Sequence, residues 1–169
     1  MNRNAHVDDT IRRWTLYVVM TADSARVPLL EAFHDVERAL VEPATAPSPL
    51  ERSAFYAVDR AEDHLPTPEA WEKLRPRVRA AVEHLAAHLA RVDALIADAS
   101  PRWRIDRMPI VDRSLLRMGV AEMLRDNPRP RSTFNGMLEL AKALGTDTTQ
   151  KFVNGILDEI RRKQGIAFQ

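Results

Sequence analysis

The chain contains no cysteine, which excludes disulfides and thiolate metal sites and fits a reducing compartment. Glycine occurs five times in 169 residues. A glycine-rich phosphate loop is therefore excluded; "ALGTDT", Ala143 to Thr148, holds a single glycine. No apolar run reaches the ~20 residues needed to span a bilayer. The start, "MNRNAHVDDTIRRW", lacks the apolar segment of a secretory leader, so no membrane association is expected and the expected location is cytoplasmic. Val, Ile and Thr never alternate over a strand-length run. No nucleophile motif or cluster of metal ligands is present, which points away from an enzyme and away from a cofactor. His84 and His88 have the i,i+4 spacing of zinc ligands on one helix face. No glutamate completes an H-E-x-x-H motif and no third ligand stands nearby, so they read as surface histidines and no metal is expected. The net charge of +1 gives no overall attraction for polyanions. Nucleic-acid binding would need a local basic patch.

What is present is helix. Apolar content of 45% and charged content of 29% suit an ordinary globule with a substantial core. Asp8, Asp9 and Thr10 supply start signals for a first helix to about Thr21, with Ile11, Trp14 and Val18 on its apolar side. A second helix is expected from about Val27 to Leu40, then a loop at "EPATAPSP", Glu42 to Pro49. A third is expected from about Leu50 to His64. After it Thr67 reads as an N-cap, with Pro68 at the first helical position.

Val78, Val82, Leu85, Leu89, Val92 and Ile96 are spaced 4-3-4-3-4, the stripe of a bundle helix. Pro76 reads as the start of that helix or a kink in an earlier one. Ser100-Pro101 reads as an N-cap followed by Pro, and Pro109 as the opening of a helix through Leu124. Ser132 or Thr133 reads as the cap of a helix ending at Leu144, with Gly145 in the C′ position. Asp147, Thr148 and Thr149 read as caps of the last helix. The expected fold is all-α, a bundle of about seven helices in one domain over 1–169, with helical subdomains at about 8–75 and 76–163.

"TTQKFVNGILDEI", Thr148 to Ile160, poses a local conflict. Asn-Gly is a strong hairpin signal, yet Phe152, Val153, Ile156, Leu157 and Ile160 keep helical spacing. Glycine inside a helix costs about 1 kcal/mol against alanine. The expectation is that packing offsets this: Gly155 admits another backbone, and Asn154 satisfies buried polar groups.

Three ordered segments, "RMPIVDRSLLRMGVAEML", "FNGMLELAKALGT" and "KFVNGILDEI", resemble the NusB family of transcription antitermination factors. The resemblance covers about Trp103 to Ile160, and "TLYVV", Thr15 to Val19, adds a weaker match that places Tyr17 at a family tyrosine. It implies an all-α fold of two packed helical subdomains and a non-enzymatic role. It also implies binding of boxA-type single-stranded RNA in nascent rRNA, jointly with the ribosomal protein NusE, in the RNA polymerase antitermination complex. A homodimer is compatible with the resemblance without being specified by it.

Implied RNA-binding residues are Thr148, Thr149, Gln150, Lys151 and Phe152 at the last helix, and Arg3, His6, Arg12, Arg13 and Tyr17 at the first. A helix N-terminus suits phosphate, and an aromatic such as Phe152 suits a base. Plainer readings stand beside these: Phe152 as a core aromatic, Lys151 as a solvated lysine, and Arg12 and Arg13 as a solvated face beside a core Trp14. Arg129 and Arg131 read as loop charges.

Four positions depart from the family pattern. Asp8 and Asp9 stand where basic residues are usual, Gly136 replaces a usual glutamate after Asn135, and Thr148 stands where an acidic residue is common. Two alternatives follow: the RNA-binding partner of an rRNA cytosine methyltransferase, or a protein-interaction module that has lost RNA binding.

Overall fold

The computed structural model describes residues 3–41 and 68–168, with side chains from Val7 to Leu40 and from Glu69 to Phe168. Those residues form six α-helices, one short 3-10 turn and no strand. The helices are α1 (Arg3–Ala25), α2 (Leu29–Val41), α3 (Pro68–Ala99), α4 (Ile110–Met123), α5 (Pro130–Leu144) and α6 (Thr149–Lys163). The all-α class expected from the missing alternation is what forms. The helix expected at Leu50 to His64 and the cap Thr67 lie outside the described residues. No helix among the described residues is long and apolar enough to cross a membrane. The chain divides into two compact units, Met1–Ala86 and Ala87–Gln169.

In the first unit α1 packs on α2. From Trp14 to Ala22 every residue of α1 is buried, as befits a helix apolar nearly all round. Trp14 meets Tyr17 edge-on at 4.9 Å and Trp71 of α3 at 5.5 Å, and Phe33 of α2 lies 6.1 Å from Trp71. Ion pairs tie α3 to its neighbours: Arg75 to Glu37 at 2.9 Å and Arg77 to Asp8 at 2.6 Å. α1 ends in a Schellman-type turn, with Val27 N donating to Ala22 O and Arg26 left-handed at φ 57°. Pro76 does not start a helix. It sits exposed inside one 32-residue helix.

In the second unit α4, α5 and α6 pack pairwise. Leu115, Leu116 and Val120 of α4, Met137 and Ala141 of α5, and Val153 and Leu157 of α6 are all buried. Gly119 permits this closeness, since a Cβ there would stand 2.9 Å from Leu157 and 3.2 Å from Met137. Thr133 of α5 donates to Glu122 of α4 at 2.8 Å, and Arg117 grips Asp93 of α3 through two 2.8 Å bonds. α6 closes with a second Schellman-type turn at Gly165, φ 66°. Phe168 then folds back edge-on against Phe134, 5.1 Å away, under the Arg161 guanidinium at 4.2 Å.

Four cap assignments differ from expectation. Ser100 caps no α-helix: its Oγ donates to Trp103 O in a turn that ends α3. α5 starts earlier, at Pro130, so Thr133 is a buried tether to Glu122 and not its cap. Thr148 flanks α6 without a side-chain cap bond. Gly145 ends α5 as expected, but its backbone is extended (φ −94°, ψ −170°), not left-handed. Glycine is needed there for space: a Cβ would lie 2.6 Å from both Ala141 O and Thr149 Cβ.

Candidate nucleic-acid interface

The start of α6 is set by the turn before it. Thr149 is buried. Its hydroxyl accepts from the Thr146 N–H at 3.0 Å and donates to Asp112 of α4 at 2.9 Å. Thr146 and Thr148 share a hydroxyl contact at 3.1 Å. Burial pushes the Asp112 carboxyl above its ordinary range, and the Thr149 hydrogen bond pulls the other way. One carboxylate therefore pins the threonine turn to the core, and with it the direction in which α6 leaves. Gln150, next in line, donates to Leu138 O of α5 at 3.1 Å. Lys151 is exposed and Phe152 half-buried.

A second segment flanks this helix start. After α3 the chain turns at Ser100, passes through the 3-10 turn Ile105–Arg107 and enters α4 at Pro109. Arg113 holds it from inside, donating to Ile105 O and Met108 O, each at 2.9 Å. Trp103 projects from this segment, 60% exposed, and meets the Phe152 ring edge-on at 6.5 Å. Arg102, Arg104 and Arg107 of the same segment are all exposed. Arg104 is held by two bonds to Asp106, at 3.1 and 2.8 Å, which lower the Asp106 pKa.

The predicted residues thus separate. Thr148, Lys151 and Phe152 share an accessible surface. Thr149 is sealed beneath it and Gln150 is turned to α5, so each positions the surface from below. Tyr17 is 2% exposed against Trp14, a core ring in the first unit. Arg12 and Arg13 are half-buried on α1, with Arg12 3.6 Å from Asp9. Arg3 and His6 belong to α1, but their side chains lie outside those described. Arg129 and Arg131 are both exposed, but only Arg129 precedes the helix; Arg131 lies in the first turn of α5, which starts at Pro130. His84 and His88 are half-buried, and no group of three potential ligands is placed to hold a metal among the described residues.

The Asn-Gly pair overturns its packing explanation. Asn154 and Gly155 are both exposed, and a Cβ on Gly155 would have nothing within 4 Å. The glycine has no close neighbour to accommodate, and the asparagine no buried group to satisfy.

Two residues central to this arrangement fall outside the set that sequence reasoning selects. Trp103 carried a signal: a tryptophan between arginines, in a proline-bounded segment outside every apolar stripe. Asp112 carried none, because a single acid near a helix start ordinarily reads as a dipole partner.

The NusB family model matches residues 38–162 of the chain. A "Transcription antitermination protein NusB" from Anaeromyxobacter sp. (strain Fw109-5) is 34% identical over 116 residues, 63% of this chain and 81% of the relative. One from Solibacter usitatus (strain Ellin6076) is 43% identical over 86 residues, 51% of this chain and 56% of the relative. Among solved structures, T. maritima NusB matches with TM-score 0.57 at 26% identity, over 90% of this chain and 91% of that one. A crystal structure of antitermination factors NusB and NusE in complex with dsRNA matches with TM-score 0.67 at 22% identity, over 94% of this chain and 98% of that one.

Proposed function

The chain belongs to the NusB family, and from that membership we propose that it is a transcription antitermination factor. It binds boxA-type single-stranded RNA in nascent rRNA together with the ribosomal protein NusE, within the RNA polymerase antitermination complex. It acts in the cytoplasm, by binding and not by catalysis. The observation that carries the RNA reading is the start of α6, where exposed Lys151 and half-exposed Phe152 stand on a threonine turn fixed by Asp112. Lys151 supplies a phosphate contact and Phe152 a face for a base. Among the described residues Lys151 has no ion-pair partner, so it meets a phosphate without first leaving another charge.

The test is a salt titration of the chain with a boxA-type oligomer, with and without NusE. Binding that weakens with salt, by about one unit of log-log slope per phosphate contact, supports the reading. No binding even at low salt removes it.

A second reading keeps the protein partner and drops the RNA. The acidic start of α1 favours it: Asp9 lies 3.6 Å from Arg12, and Asp8 accepts from Arg77 at 2.6 Å. Arg12 on that helix is thus partly answered from within, while Asp8 is spent on Arg77 of α3. Capture of NusE with no RNA binding selects this alternative.

A further inference from the structure

We propose that Trp103 is a nucleobase-stacking residue, the outer ring of a two-ring seat whose inner ring is Phe152. This rests on the RNA-binding reading above and adds to it a residue from a different segment. The chain has three tryptophans. Trp14 and Trp71 are 1% and 0% exposed, whereas Trp103 is 60% exposed. Its exposure is not that of a slack loop. Ser100 ties its carbonyl from before, at 3.1 Å, and Arg113 clamps the following backbone through two 2.9 Å bonds. The indole is therefore held out beside Phe152, 6.5 Å away and nearly perpendicular at 75°. Such a corner offers a base one face to lie on and one edge to abut.

The surrounding charge selects the occupant. The segment Ser100–Pro109 carries three arginines and one aspartate, and between Thr148 and Leu157 Lys151 is the sole charged residue. Arg104 is committed to Asp106, whose carboxylate also feels Arg107; Arg102, Arg107 and Lys151 are exposed, and so is Asp147 in the turn. A flat aromatic corner, with an excess of exposed basic residues on the two segments that supply it, fits an unpaired base with its phosphates. An apolar peptide would gain nothing from those cations.

The experiment uses the full chain and three readouts. In the wild-type protein, iodide quenches only the exposed tryptophan, and a boxA-type single-stranded oligomer should shield it. Trp103→Ala should weaken binding of that oligomer about 5- to 150-fold, the range for losing one stacked base. Trp103→Phe should restore most of it. Binding of inorganic polyphosphate, which has charge but no bases, should be the same in wild type and Trp103→Ala. An unshielded tryptophan, or equal oligomer affinity in wild type and Trp103→Ala, overturns the inference while leaving the RNA function standing. A Trp103→Ala loss confined to NusE binding makes this a protein-docking corner instead and also overturns it. A wild-type chain that binds no RNA at low salt removes the function and this inference together.

Discussion

Replacing Gly155 by alanine should make the protein more stable. Gly155 lies in the interior of α6, a 15-residue helix, and is exposed. An added Cβ would find nothing within 4 Å, so the substitution introduces no clash. What remains is the backbone term: glycine inside a helix is less favourable than alanine by about 0.5–1 kcal/mol. For a protein of this size each kcal/mol moves the thermal midpoint by roughly 2–4 °C, so Gly155→Ala should raise it by about 1–4 °C. The midpoint followed by circular dichroism, with urea unfolding beside it, checks this. The sign decides between two explanations of the Asn-Gly pair. Had glycine been there to admit a neighbouring backbone, alanine would overpack the contact and cost about 1–3 kcal/mol. A lowered midpoint would therefore refute the exposed placement of this helix face. A raised one means that this glycine lowers stability with no compensating contact among the described residues.

Gly145→Ala should act in the opposite direction, destabilising by about 1–3 kcal/mol in urea unfolding, because its Cβ would strike Ala141 O and Thr149 at 2.6 Å. Arg26→Gly should stabilise by about 1 kcal/mol by the same measurement, since residue 26 is left-handed at φ 57° and an L side chain resists that conformation. Asp112 has a folded-state pKa raised by burial. The stability linked to it is full below the ordinary carboxylate pKa, and is lost as pH rises through the raised value. Asp112→Asn cannot ionise, so its stability relative to wild type should climb across that window in denaturation curves taken at stepped pH; a flat difference would contradict the buried carboxyl. Phe152→Ala should weaken RNA binding by ~1–3 kcal/mol with the fold intact if its ring stacks a base, as read by oligomer anisotropy beside circular dichroism; unchanged affinity returns Phe152 to a packing role.

The helices were readable because their signals are local. Apolar spacing along α1, α3 and α6 reports one face of one helix, and no knowledge of the partner is needed to see it. The caps were read less well for the same reason. A Ser or Thr before an apolar run looks alike whether it caps its own helix or is drawn elsewhere. Thr133 and Thr149 were drawn elsewhere, to Glu122 and Asp112 on α4. Those bonds span 11 and 37 residues of chain, and no pattern within either helix encodes them.

Residue type and spacing sufficed for an all-α chain without cysteine chemistry and for the order of the helices among the described residues. Which side chains reach solvent was settled by packing. Tyr17 went into the core, Gln150 turned to α5, Gly155 was left bare and Trp103 was held out beside Phe152. Exposure is a property of what lies across from a residue, and that neighbour arrives from a distant part of the chain.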